Sequence, residues 1–223
     1  MKKVQLYNKL DKNKLKEILS QEKFERTTIS FYRYVRIKNP AELRDSLYSK
    51  WSNLLILGRV YVAHEGINAQ LSLPKRILKN FKKDLNSIKT FKGIIIKHAI
   101  QEGKSFYKLT IKVRNELVAY GLPSKSYNMM NIGRYVGAKD FNKSLDDPNS
   151  VIIDMRNQYE SEIGQFDNAV TLSVSKSKEL IPKVMKILDA KSNNKVLLYC
   201  TGGIRCEKAS AYLKQNGFDN VYQ

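Results

Sequence analysis

Apolar residues along the chain follow either a two-residue or a three-to-four-residue period, and the period changes at clear turn signals. Thr27 to Ile37 (TTISFYRYVRI) alternates and is β-branched and aromatic, which predicts a strand. Before it, residues 1–25 read as a short polar helix with Leu10, Leu15, Ile18 and Leu19 on one side. Asn39-Pro40 opens a helix to about Lys50, with Leu43, Leu47 and Trp51 on one face. Leu54–Ala63 and Ile67–Leu73 form a hairpin signal around His64-Glu65-Gly66, where Gly66 can take positive φ. Pro74 opens a second helix, in which Ile77, Leu78, Phe81, Leu85 and Ile88 recur at helical spacing. Ser105–Arg114 alternates well, and a short extra strand is expected near Ile94–Ile96. The order β-α-β-β-α-β is the ferredoxin-like split βαβ plan, so residues 1–114 are expected to form an α+β domain.

Residues 115–130 are irregular, hold Gly121-Leu122-Pro123, and read as a linker. From residue 131 to 223 the pattern changes. A helical or turn segment (Asn131–Leu145) leads to the short apolar strand Ser150–Arg156, a polar loop and a strand at Val170–Val174. A helix over Lys178–Leu188, the continuous apolar strand Lys195–Cys200, a helix over Cys206–Asn216 ending at Gly217, and a strand from Asn220 follow. Strands alternating with helices imply an α/β domain with a parallel sheet covered on both faces.

Composition narrows the class. The 223 residues are 42% hydrophobic, enough for a buried core. No apolar run reaches the roughly 18 residues of a membrane span, and the N-terminus has no apolar signal core, so a cytoplasmic protein is expected. Two cysteines, Cys200 and Cys206, make no disulfide framework. The net charge is +19, and its distribution is uneven. Residues 1–130 carry 27 basic and 10 acidic side chains, a net of +17, and the remainder is nearly neutral. A polyanionic partner, nucleic acid first, is expected on the first domain.

The chemistry concentrates in Lys195-Val-Leu-Leu-Tyr-Cys200-Thr-Gly-Gly-Ile-Arg205-Cys-Glu-Lys. A buried strand delivers Cys200 to its carboxyl end. The loop Thr201, Gly202, Gly203, Ile204 then leads into a helix N-terminus, aiming backbone N–H groups and the helix dipole at the sulfur. Arg205 adds a cation. All three effects favour thiolate, the nucleophilic form. Cys206 is expected to pack, with a resolving-thiol role as the alternative. Two cysteines without a nearby histidine are poor zinc ligands, so no metal is expected.

Cys200-x-x-x-x-Arg205 after an apolar strand resembles the active-site loop of a rhodanese domain. Asp154-Met-Arg156, Glu160 and Phe166-x-x-Ala169 resemble that domain's signature. Dual-specificity phosphatases carry one residue more between Cys and Arg, which argues against phosphatase activity. Tyr199–Leu213, Asp154–Phe166 and Gly58–Ser72 (GRVYVAHEGINAQLS) together are similar to the rhodanese-domain tRNA uridine hydroxylases. That resemblance covers nearly the whole chain. It implies a ferredoxin-like domain joined to a rhodanese domain, and oxygen-dependent hydroxylation of the wobble uridine of tRNA to 5-hydroxyuridine, with Cys200 as the essential cysteine. It implies molecular oxygen as co-substrate, and no cofactor is evident from the residues. Family members continue past the point where this chain ends, at Tyr222-Gln223, so the second domain is expected to be cut short. An edge strand without its following helix would leave sheet surface exposed.

Other residues bear on the partner. His64 and Asn68 at the hairpin read either as nucleic-acid contacts or as turn residues. Tyr32, Tyr34 and Arg36 share one face of their strand, with Arg33 on the other; they read either as a base-stacking surface or as a tyrosine-packed sheet with snorkelling arginines. Lys75, Arg76, Lys79, Lys82 and Lys83 form a basic helix face suited to phosphate contacts. Asp154 and Arg156 are expected to fix the Cys200 loop by ion pairing. The leading expectation is thus a tRNA-modifying enzyme. A sulfurtransferase carrying a persulfide on Cys200 is the runner-up, and a non-catalytic RNA-binding module the third reading.

Overall fold

A computed structural model describes residues 6–99, 105–188 and 194–223. They pack as two units, 1–117 and 118–223.

The first unit begins with helix α1 (Lys12–Ser20). Asp11 caps it, its carboxylate accepting from Asn13 and Lys14 N–H groups at 2.8 and 3.0 Å. Leu15 and Leu19 are buried, whereas Leu10 and Ile18 are exposed, so the buried stripe is narrower than the sequence suggests. Strands β1 (Arg26–Tyr34), β2 (Leu57–Ala63), β3 (Gly66–Pro74), β4 (Lys97–His98) and β5 (Leu109–Val113) form one mixed sheet in the order β4-β1-β3-β2-β5. Helices α2 (Pro40–Asn53) and α3 (Leu78–Ser87) cross on one side. β1, β2, β3 and β4 make the ferredoxin-like plan. The extra strand is therefore not the one expected. The short Lys97–His98 pair is the fourth strand of the plan, antiparallel to β1, while β5 is added at the far edge, parallel to β2.

The core lies between sheet and helices. Ile29 and Phe31 of β1, Val60 and Val62 of β2, and Ile67, Ala69 and Leu71 of β3 meet Leu47 and Trp51 of α2 and Phe81 and Leu85 of α3. Phe31, Trp51 and Phe81 form an aromatic centre with ring centroids 5.6–6.5 Å apart. The two-residue turn His64-Glu65 joins β2 and β3. Gly66 after it has φ +145°, and a Cβ there would lie 2.0 Å from the Arg33 carbonyl oxygen on β1. Only glycine lets the neighbouring strand approach this closely.

The second unit contains α4 (Ala138–Leu145), β6 (Ser150–Asp154), α5 (Gln158–Ser161), β7 (Val170–Thr171), α6 (Leu180–Ile187), β8 (Lys195–Tyr199), α7 (Ile204–Gln215) and β9 (Val221–Tyr222). Its sheet is all parallel, in the order β7-β6-β8-β9. Both faces are covered, as continuous apolar strands require. Ile153, Val196 and Leu198 pack towards Leu180 and Val184 of α6 and Ala209 and Leu213 of α7. Ile152 and Leu197 pack towards Phe141 of α4.

One expectation changes here. Val118 and Tyr120 are buried in the second core, so the start of the 115–130 stretch is part of the fold and not a linker. Gly121-Leu122-Pro123 concealed this, because turn residues mark irregular backbone without telling whether it is packed. The outer edge of β9 is also partly covered. Arg134 N–H donates to Val221 O, Gln223 N–H to Arg134 O and Val136 N–H to Gln223 O, each at 2.9 Å. Among the described residues, no helix is long and apolar enough to cross a membrane.

Candidate active site

β8 runs between β6 and β9 and ends at Tyr199, so Cys200 stands at the carboxyl edge of the parallel sheet. Gly203, at φ +91°, turns the chain into α7. This left-handed geometry aims its own N–H back at Cys200 Sγ, which accepts at 3.1 Å. The Cys206 N–H and the Cys206 thiol also donate to the same sulfur. Cys200 is partly exposed and Cys206 is buried.

These donors act on the sulfur's charge. The Cys200 pKa is lowered to about 5, chiefly by the Cys206 thiol's hydrogen bond. Burial opposes this, and the Cys206 N–H, the Arg205 charge and the Gly203 N–H reinforce it. Cys206 moves the other way: burial and the adjacent Cys200 sulfur push it well above the usual thiol range. At neutral pH the pair is a thiolate held by a neutral thiol.

Arg205 is anchored by Glu160. Its Nη1 and Nη2 donate to the two carboxylate oxygens at 2.7 and 2.8 Å, a two-pronged pair. Thr201 Oγ1 donates to the same carboxylate at 3.0 Å. Glu160 in turn sits on α5, where it accepts from Asn157 N–H at 3.2 Å in a capping box. Its pKa falls to about 2, mainly through Arg205. On the other side, the buried Tyr120 hydroxyl donates to the Arg205 carbonyl at 2.9 Å. One carboxylate thus ties both ends of the loop, Thr201 and Arg205, to α5.

Asp154 and Arg156 were expected to pair with the loop; instead they pair with each other. Arg156 Nη2 meets Asp154 Oδ2 at 2.6 Å and also donates to Gly164 O. Asp154 is fully buried and further accepts from Ser161 Oγ at 2.9 Å and Tyr199 OH at 2.8 Å. Its link to the loop is indirect, through the residue before Cys200. The ion pair on the loop belongs to Glu160, which the sequence singled out only as part of a signature. A carboxylate 45 residues from Arg205 carries no local signal of its partner.

The candidate RNA contacts fall on opposite sides of the first sheet. Tyr34 and Asn68 lie on the face away from α2 and α3, since Phe31 of the same strand as Tyr34 points into the core. Lys75, Arg76, Lys79, Lys82 and Lys83 lie on or just before α3, whose Phe81 packs against Phe31 on the helix side. Several of these cations have partners: Lys75 pairs with Glu25 at 3.1 Å, Arg76 stacks over Phe24, and Lys82 Nζ is 3.4 Å from His98 Nε2. Lys79, Lys83 and Arg36 are exposed. His64 keeps Nδ1 3.0 Å from Ile37 O at the hairpin. Among the described residues, no three His, Cys, Asp or Glu side chains gather as a metal site would need.

Residues 26–117 match the model of the UPF0176 acylphosphatase like domain, and residues 137–223 that of the Rhodanese-like domain. The whole chain is 47% identical to a Leptospira interrogans protein named tRNA uridine(34) hydroxylase, covering 61% of that protein. Over 97% of the chain, the Salmonella choleraesuis and Salmonella typhimurium proteins of the same name are 44% identical, with 63% of each covered. Each of the two domain models thus matches one part of the chain, and the chain is similar over nearly its whole length to proteins of that name. It spans about three fifths of the length of these relatives. The Cys200 loop falls within the residues that match the Rhodanese-like domain, and the mixed sheet within those that match the UPF0176 acylphosphatase like domain.

Proposed function

We propose that this chain takes part in hydroxylating the wobble uridine of tRNA to 5-hydroxyuridine, with Cys200 as the reacting group and molecular oxygen as co-substrate. The observation that carries the reading is the state of Cys200: a partly exposed sulfur, held as thiolate by the Gly203 N–H, the Cys206 N–H and the Cys206 thiol. A thiolate adds to C6 of a uracil ring. Sγ bonds to C6 and the C5–C6 π pair moves to C5, which bonds to one end of O2. A thiol reductant supplies the two electrons that cleave the O–O bond, leaving a hydroxyl on C5 and releasing water. Loss of the C5 proton with cleavage of Sγ–C6 restores the ring double bond and the thiolate. The similar Leptospira and Salmonella proteins carry the name tRNA uridine(34) hydroxylase, which supports uridine 34 as the target. The first unit, with its strong excess of basic side chains, is the part suited to hold the tRNA backbone.

The sulfurtransferase reading uses the same loop but leaves the basic first unit without a role. The test is nucleoside mass spectrometry of tRNA from cells producing wild-type protein or Cys200→Ser, in a strain with no parallel pathway. Loss of the hydroxylated wobble uridine in the variant is expected. Unchanged hydroxylation would remove Cys200 from the chemistry. Thiosulfate:cyanide turnover without RNA, at rates typical of sulfurtransferases, would favour the other reading.

A further inference from the structure

The five strands of the first sheet contain no acidic residue, while Arg26, Arg33, Arg59, Lys97 and Lys112 lie on them. One face of the sheet is the core. On the other, Gln70 sits on β3, the central strand, and is exposed, as is Arg59 beside it. A central-strand side chain reaches solvent only where its face is open at that level. Two residues further along β3, Ser72 is buried, so the opening spans the half of the face nearer the His64-Glu65 turn.

The register fills this half with one kind of chemistry. One row across the strands reads Lys97, Ser30, Gln70, Arg59, Thr110. The next reads Tyr32, Asn68, Tyr61, Lys112. Residues paired across strands share a face. Tyr32 and Tyr61 therefore flank the Asn68 amide, two strand spacings or about 10 Å apart. Tyr34 meets Tyr32 edge to face at 6.2 Å, and the Arg114 guanidinium lies over the Tyr61 ring at 5.3 Å.

Separated flat rings, an amide with both donor and acceptor, and cations on strands that carry no acidic residue suit unstacked bases on a phosphate backbone. A duplex keeps its base faces covered and cannot use the rings. An acidic peptide would use the cations and leave the rings idle. We propose that this open sheet face holds bases of a single-stranded RNA loop, stacked on Tyr32 and Tyr61, with Arg59, Lys97, Lys112 and Arg114 on the flanking phosphates. The identification of that RNA as a tRNA loop rests on the function proposed above.

The test is fluorescence anisotropy of the complete protein with a labelled short single-stranded RNA and with a duplex of the same sequence. Tyr32→Ala and Tyr61→Ala are each expected to weaken single-strand binding about tenfold, with duplex binding little changed. Tyr61→Phe keeps the ring and is expected to bind like wild type. Arg59→Ala and Lys112→Ala change exposed side chains, so they test the face even where a tyrosine variant unfolds; each is expected to reduce the salt slope by about one. Single-strand binding unchanged in both tyrosine variants and both cation variants would overturn the proposal. Equal losses for single strand and duplex in folded tyrosine variants would also overturn it. The two proposals fail separately. Binding through this face without uridine hydroxylation would overturn only the function. Hydroxylation with binding indifferent to all four substitutions would overturn only the face.

Discussion

The Arg205 guanidinium meets the Glu160 carboxylate through two bonds of 2.7 and 2.8 Å, and Thr201 donates to that same carboxylate. The cation beside Cys200 is therefore held from outside the loop. Glu160→Gln keeps the shape and removes the charge, so Arg205 loses its fixed position. The expected cost is about 2 kcal/mol of stability, between that of exposed and fully buried pairs. Slower alkylation of Cys200 should accompany it. Iodoacetamide kinetics and thermal unfolding of the variant check both.

The same pair sets an acid limit. The Glu160 pKa falls from 4.5 to about 2 on folding, a depressed carboxylate. Its stabilisation is complete above 4.5 and is lost as pH falls from there towards about 2. Wild type is expected to lose stability over that interval more steeply than Glu160→Gln, as read from denaturant unfolding at a series of acid pH values.

Cys206 should control the reactivity of Cys200 without reacting itself. Its thiol is the largest single contributor to holding the Cys200 pKa near 5. Wild-type Cys200 should alkylate at a rate that is flat near neutrality and falls as pH drops through about 5. Cys206→Ala removes the thiol donor and keeps the backbone N–H, so the inflection should move upward. Cys206→Ser, which restores a donor, should lie between the two. An unmoved inflection in Cys206→Ala would remove the thiol from this role.

The two basic surfaces of the first unit can be separated. Lys79 and Lys83 lie on α3, across the sheet from Tyr32 and Tyr61. Reversing both charges is expected to weaken single-stranded RNA binding less than the double change Arg59→Ala with Lys112→Ala. The comparison is made by anisotropy at fixed salt, since general electrostatics depends strongly on ionic strength. A larger loss from the α3 reversal would assign the RNA to the helix side.

Gly66→Ala tests the packing of the first sheet. At φ +145°, with the Arg33 carbonyl oxygen 2.0 Å from the added carbon, the substitution should cost more than about 2 kcal/mol. Thermal unfolding should show a lower transition for this variant.

The Cys200 loop was legible because its parts are contiguous: strand, two glycines, cation and helix start lie within a few residues. Its anchor was not, since Glu160 is joined to Arg205 only by tertiary structure, and Asp154-x-Arg156 at the end of the neighbouring strand offered a decoy. The split βαβ order was readable from periodicity. Which strand was extra was not, because β4 has only two residues and its pairing with β1 leaves no alternation to read. The burial of Val118 and Tyr120 was hidden behind Gly121 and Pro123, which mark irregular backbone whether or not it is packed. Tyr61 and Arg59 were part of a resemblance motif, yet their place beside Asn68 and Gln70 depends on a register that sequence leaves open.

The decisive measurement is incubation of the complete protein with unmodified tRNA and a thiol reductant under oxygen-18 gas, followed by nucleoside mass spectrometry. One heavy oxygen on the wobble uridine is expected with wild type, and none with Cys200→Ser. Heavy oxygen incorporated equally by Cys200→Ser, or no incorporation by a folded, tRNA-bound wild-type protein, would contradict a thiolate-dependent, oxygen-consuming hydroxylation.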